Sequence, residues 1–128
     1  MEKDGGFTLV EILVTILLLG IATASLSSVF ISIRNIQLQS SYYDTANRAA
    51  AREIESLRND SYATLTAGQT INFTADLPTT LPNRNGTVVV SAPTDGIRRV
   101  DATVTYKAQG KTRTLTLSSL IGEIGITQ

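Results

Sequence analysis

Glu11 is the only charged side chain between Phe7 and Ile33, in the run FTLVEILVTILLLGIATASLSSVFISI. A carboxylate in such a run costs about 2.5–3.5 kcal/mol near a bilayer centre, and less towards its edge. Its presence therefore marks a functional site by default, one where the acid meets a cation or a strong donor. Few other groups could do chemistry. The chain has no Cys and no His. That excludes a Cys nucleophile, a Ser–His pair and a His–metal centre. No phosphate loop, metal-ligand cluster or nucleophile with an adjacent base occurs either, so the chain reads as a non-enzyme without a cofactor. Asp95 and Asp101 could be imagined around a calcium ion, but Pro93-Thr94-Asp95-Gly96 is more simply a turn. Arg98-Arg99 could touch DNA. No other basic residue clusters there in sequence, and a solvated turn pair is the preferred reading.

The bulk numbers agree. The 128 residues suit one domain, with 11 basic and 11 acidic side chains and a formal net charge of zero. Nothing in that balance calls for nucleic acid. With no Trp and 5% aromatic residues, a base-stacking surface is not expected. The lack of Cys leaves the redox compartment unread. Sequons at Asn59, Asn72 and Asn85 read as chance in a Thr-rich chain. The hydrophobic fraction of 42% is ordinary on average. Its distribution is not, because the apolar residues crowd into the first quarter.

The elements that must position Glu11 follow from that crowding. Residues 1–6, MEKDGG, form a polar leader. Ile12 to Ile33 is a run of 22 uncharged residues. As a helix it spans about 33 Å, enough to cross the ~30 Å hydrocarbon core. Thr23, Ser25, Ser27 and Ser28 moderate its apolar character and suggest packing against protein as well as lipid. A secretory signal peptide would need a basic n-region and a small-x-small cut after the run. Ala22-Thr23-Ala24 fits such a cut only weakly, and the leader is not basic. The helical pattern continues through an amphipathic stretch, residues 34–60, which holds no Pro and no Gly. Tyr43, Ala46, Ala50, Ile54 and Leu57 fall at spacings of three and four, on one face. Asp44/Arg48 and Glu55/Arg58 are acid-first pairs on a wetted face.

Beyond Asn59 the composition turns to Thr, Asn, Gly and Pro, and residues 61–128 read as a small β-sheet head. Candidate strands are Gln69–Thr74, Gly86–Ser91, Arg99–Ala108 and Lys111–Ser118. The last two alternate, with Val100, Ala102, Val104 and Tyr106 on one face of the first and Leu115 and Leu117 on one face of the second. Gln109-Gly110 reads as a tight hairpin turn. Asn83–Gly86 and Pro93–Gly96 mark turns, and residues 75–85 a loop. The apolar sheet face needs a cover, which the Ala50/Ile54/Leu57 face of the helix supplies. The expected fold class is α+β. A long projecting N-terminal helix packs, at its C-terminal half, on an antiparallel sheet of three or four strands.

Residues 5–20, GGFTLVEILVTILLLG, closely resemble the type IV prepilin signature. That pattern is a short leader ending in Gly, then Phe, Thr, Leu, an aliphatic residue, Glu and a long apolar helix. Gly6, Phe7, Thr8, Leu9, Val10 and Glu11 match it in turn, and Gly20 falls where pilins often carry Gly. The resemblance implies the type IV pilin fold and a structural role. Residues 1–6 would be the leader, cut by a prepilin peptidase between Gly6 and Phe7. The new amine of Phe7 would be N-methylated. Phe7 and Glu11 would act in subunit–subunit assembly, the carboxylate of Glu11 pairing with the Phe7 amine of a neighbour. Residues 7–33 would be the transmembrane and filament-core half of the helix.

The implied partners are other pilin or pseudopilin subunits, the peptidase, an inner-membrane assembly platform, and the membrane before assembly. The implied location is the bacterial cytoplasmic membrane as a single-pass precursor, then a cell-surface or periplasmic filament. Three departures bear on subtype. The leader is not basic, Ser28 stands where many major pilins have a helix-kinking Pro, and the C-terminal Cys pair of many major pilins is missing. Residues 46–65 and 99–122 are similar to minor pilins of the V type and pseudopilins of the I type. The reading is a minor pilin. The alternatives are a type II secretion pseudopilin, a short major pilin and, in a different class, a single-span anchored binding protein that never polymerises.

Overall fold

The computed structural model describes residues 6–60 and 62–123. Residues 1–5 of the expected leader lie outside them. The elements are one helix, α1 (Leu9–Asn59), and four strands: β1 (Thr70–Asn72), β2 (Asn85–Thr94), β3 (Ile97–Ala108) and β4 (Lys111–Gly122). Short 3-10 turns occupy Tyr62–Thr64 and Thr74–Asp76. The chain divides into two compact units, Met1–Leu38 and Gln39–Gln128.

In the first unit every described residue, from Gly6 to Leu38, is exposed. Its hydroxyls are satisfied locally. Thr15 Oγ1 donates to the Glu11 carbonyl at 2.7 Å, Ser25 Oγ to Ile21 at 2.9 Å, Ser27 Oγ to Thr23 at 3.0 Å and Ser32 Oγ to Ser28 at 3.0 Å. Thr23 Oγ1 reaches both the Leu19 and Gly20 carbonyls, and Ser28 Oγ the Ser25 carbonyl at 2.8 Å. A helix with its backbone and hydroxyl donors paired internally leaves no stranded polar hydrogen in lipid.

In the second unit the strands form one antiparallel sheet in the order β1-β2-β3-β4, each paired with its neighbour in sequence. The helix face Ala46, Ala50, Ile54 and Leu57 is buried against Val88, Val90, Val100, Ala102, Val104, Tyr106, Ala108 and Ile121. Full burial of each Val or Leu is worth about 1.5–3 kcal/mol, so this seam holds the unit together. The two alanines are both 0% exposed, small side chains fully covered within this seam. Both acid-first pairs form: Asp44–Arg48 and Glu55–Arg58, each at 2.9 Å. Arg58 also donates to Ser119 Oγ at 3.1 Å, tying the helix end to β4.

Four sequence expectations need correction. Tyr43 is 54% exposed and is not on the buried face. Tyr42, four residues before Ala46, packs there instead, its ring edge-on to Tyr106 at 6.3 Å. Spacings of three and four both fit a helical face, and only the position of the sheet decides between them. Arg98 and Arg99 are not a turn pair, since both lie in β3. Pro93 lies within β2, at the irregularity between Ser91 and Thr94, a place that tolerates its missing donor. The segment read as a bare loop contributes Leu77 and Leu81 to the core, alongside Leu65 and Phe73 on its N-terminal side. These isolated apolar residues have no period, so no pattern reveals them.

The β3–β4 turn forms as read. Gln109 and Gly110 have φ of 51° and 75°, the positive pair that a two-residue primed turn requires. Gly86 has a different need. A Cβ there would lie 2.9 Å from the Phe73 ring, which is 2% exposed and cannot swing away. Gly86→Ala is expected to destabilise the sheet unit by about 1–3 kcal/mol through overpacking. Urea unfolding of the full chain in detergent, followed by β-sheet circular dichroism, checks this. Pairing the change with Phe73→Leu should recover part of the loss, and an unchanged midpoint for Gly86→Ala would show that the ring is not seated on that strand.

Candidate functional site

The site is built around the start of α1. Gly6, Phe7 and Thr8 precede the helix, and Leu9 is its first residue. Thr8 stands at the N-cap position. Its Oγ1 accepts the Glu11 backbone N–H at 3.3 Å, and its carbonyl accepts the Ile12 N–H at 3.2 Å. The first N–H groups of a helix have no partner within it, and a Thr hydroxyl at the cap satisfies one of them. Glu11 is therefore the third helical residue, with its carboxylate in the first turn. A negative charge there complements the partial positive charge of the helix N-terminus. Thr-x-x-Glu before an apolar run is a capping-box pattern. That signal was present in the sequence, and the site residue it would have added is Thr8.

The three sequence-derived site residues thus fall in a short stretch with a defined boundary. Gly6 has nothing within 4 Å of where a Cβ would sit, so this chain itself does not restrict that position to Gly. Any restriction comes from whatever handles the segment. Phe7 is 79% exposed, outside the helix, and shares a shallow apolar depression with Ile12, Thr15 and Ile16. Glu11 is exposed and, among the described residues, makes no ion pair within the chain.

The other candidates from sequence resolve into structural roles. Arg98 lies over the Tyr62 ring at 4.7 Å and its Nε donates to the Leu65 carbonyl at 3.0 Å. It pins the segment after the helix to the sheet. Arg99, on the opposite face of β3, pairs with Asp101 at 3.0 Å. Ser118 Oγ also donates to Asp101, and this hydrogen bond, ahead of the Arg99 charge, holds the Asp101 carboxyl below its ordinary range. Asp101 is four residues along β3 from Ile97, roughly 13 Å from the turn that holds Asp95. The fold does not bring the two together. On the helix side, Glu53 is raised above the usual carboxylate range by burial and then by the nearby Asp76 and Asp60.

Comparison with known proteins bears on the same N-terminal segment. Residues 1–27 match the prokaryotic N-terminal methylation motif. No curated protein and no solved structure matches the chain. The chain therefore carries a type IV pilin-like prepilin signature. Its α+β arrangement, a long N-terminal helix whose later turns pack on a four-stranded antiparallel sheet, is the one that the pilin resemblance implies.

The cap generates its own test. Thr8→Val keeps the volume and loses the acceptor, and is expected to cost about 0.5–2 kcal/mol at the helix start. Amide exchange at Glu11 in micelles should then accelerate, while Thr8→Ser or Thr8→Asp should restore protection. Equal protection in the Val variant would show that the hydroxyl does not cap the helix.

Proposed function

We propose that this chain is a structural subunit of a type IV pilus or a related filament, with the role of a minor pilin. It is made as a single-pass precursor in the bacterial cytoplasmic membrane. Prepilin peptidase removes residues 1–6, and the Phe7 amine is methylated. An inner-membrane platform, supplied by other proteins, then transfers the helix into a bundle of similar helices at the cell surface or in the periplasm. The observation that carries this reading is the pairing of a methylation motif with an apolar helical segment that the rest of the chain leaves uncovered.

The physical logic runs through Phe7 and Glu11. Cleavage after Gly6 leaves a positive amine one residue before the cap. A positive charge at that end opposes the helix dipole, and the Glu11 carboxylate offsets it. In an apolar bundle, the amine of one subunit and the carboxylate of another attract strongly and fix register, whether or not net stability gains. Small residues at Ala22, Ala24, Ser25 and Ser28 permit close helix approach. The Ser hydroxyls are already donated to their own helix, so what they offer a neighbour is mainly low volume. The V-type and I-type likeness of the head favours a minor subunit.

Intact mass and N-terminal sequencing of the protein from native membranes, with and without the peptidase, test this. The expected result is a peptidase-dependent chain beginning at Phe7 and carrying one extra methyl. A chain that keeps Met1, or one cut after Ala24, would replace the filament reading with a plain anchor or a secreted domain. Glu11→Ala is expected to leave processing intact and to lower incorporation into filaments at least tenfold. Incorporation at the wild-type level would remove Glu11 from the assembly contact. A subunit that dominates purified filaments would be a major pilin, not a minor one.

A further inference from the structure

The second unit is electrically lopsided. At the β3–β4 hairpin, Lys107 stands opposite Thr112, Lys111 opposite Ala108 and Arg113 opposite Tyr106. Arg84 joins them, because the Lys107 N–H donates to the Pro82 carbonyl at 2.8 Å and Asn85 pairs with Thr105. The Arg84 Nε is buried without a hydrogen-bond partner. Among the described residues, no carboxylate forms an ion pair with any of these four cations. Asp60, Asp95 and Glu123 sit at the opposite end. Asp60 and Glu123 flank a common depression with Ile121, and the Glu123 N–H donates to the Gly96 carbonyl in the β2–β3 turn.

The end that carries the cations is the end where the chain enters this unit. Tyr106 meets Tyr42 near the start of the unit, whereas Arg58 meets Ser119, which stands opposite Val100. Strand β3 therefore runs back against the helix. Its turn lies roughly 10 Å beyond Tyr106, on the Tyr42 side of the unit. Tyr42 follows Ile33, the last residue of the apolar run, by only nine positions. Tyr43, 54% exposed, lies at the same end, and amphipathic Tyr rings are favoured at the membrane–water boundary.

We propose that this basic hairpin end is a lipid-docking surface, which rests on anionic phospholipid headgroups of the leaflet from which the chain emerges. The proposal builds on the membrane-stored precursor described above. The occupant follows from charge and tether. Unpaired Lys and Arg suit phosphate oxygens, and a short tether holds them at high effective concentration beside the headgroups. Each basic residue near an anionic surface strengthens association about fivefold, within a Debye length of ~8–10 Å. Docking would hold the head against the bilayer until assembly lifts it away.

The full chain, reconstituted as single copies in nanodiscs, tests this. The native sequence has no Cys, so Thr112→Cys gives a unique site for a fluorophore, and Asp95→Cys gives a control at the other end. Discs are made of phosphatidylcholine alone or with one-third phosphatidylglycerol, each with a headgroup-quencher lipid. Quenching at the Thr112 site should appear only with phosphatidylglycerol at low salt. It should be lost in high salt, and the ratio of docked to undocked heads should fall on the order of 100-fold in the Lys107→Gln/Lys111→Gln/Arg113→Gln variant. The Asp95 site should stay unquenched throughout, and an unchanged circular dichroism spectrum confirms that the variant is folded. Quenching independent of phosphatidylglycerol, or equal at both sites, overturns the proposal. So does a charge-dependent crosslink between copies when several are placed together in one neutral disc, which would assign the surface to a second subunit. Failure of the chain to insert at all would end the membrane reading itself, whereas insertion without lipid-dependent quenching ends the docking alone.

Discussion

An apolar helix that the protein does not cover is the constraint from which the rest follows. From Gly6 to Leu38 no described residue is buried, although most are Leu, Ile, Val, Phe or Ala. Water is a poor environment for such a surface, and burial of each large side chain is worth about 1.5–3 kcal/mol. The cover must come from lipid or from other helices. Both environments are dry, and both demand that polar groups be paired. The serine and threonine hydroxyls meet that demand through their own backbone. Among the described residues the Glu11 carboxylate makes no ion pair.

The second unit shows how the same helix changes partners along its length. From Tyr42 onward its face shrinks to Ala46 and Ala50, then widens to Ile54 and Leu57. The sheet is shaped to match, with Val and Ala on β2 and β3 and Tyr106 closing one end. Phe73 fills the space that Gly86 leaves open. The charged pairs on the outer side of the helix are exposed and contribute little, at most about 1 kcal/mol each. Apolar fit holds this unit together, and its charges are left to define what surrounds it.

Much of this was legible in the sequence because two periods are strong there. The run of apolar residues without Pro, followed by a three-and-four spacing, specified the helix. Strict alternation specified β3 and β4, and Gln109-Gly110 specified their turn. The residues that escaped notice lack a period. Leu65, Phe73, Leu77 and Leu81 reach the core from irregular chain, where burial depends on the path of the backbone. The choice of Tyr42 over Tyr43 depends on the sheet and could not be settled from the helix alone. Arg98 and Arg99 looked equivalent, yet a strand sends neighbours to opposite faces, so one braces the core edge and the other joins a polar network. At the N-terminus the motif was plain, while the hydroxyl that fixes the helix start was read only as part of the motif.

The strand order has a consequence for how the head forms. Each strand pairs with the next in sequence, so the sheet can grow by successive hairpins, the last two closed by tight turns. The helix face is different: it is synthesised first and its cover arrives last. The link between Arg58 and Ser119 spans 61 positions, and Ile121 is among the final described residues. Closing so long a loop costs chain entropy before any contact repays it. The apolar stripe of Ala46 to Leu57 therefore stays unprotected until β2 and β3 have been made, and Ile121 of β4 completes its cover. Synthesis and folding of this unit are coupled in time, with the last strand as the latch.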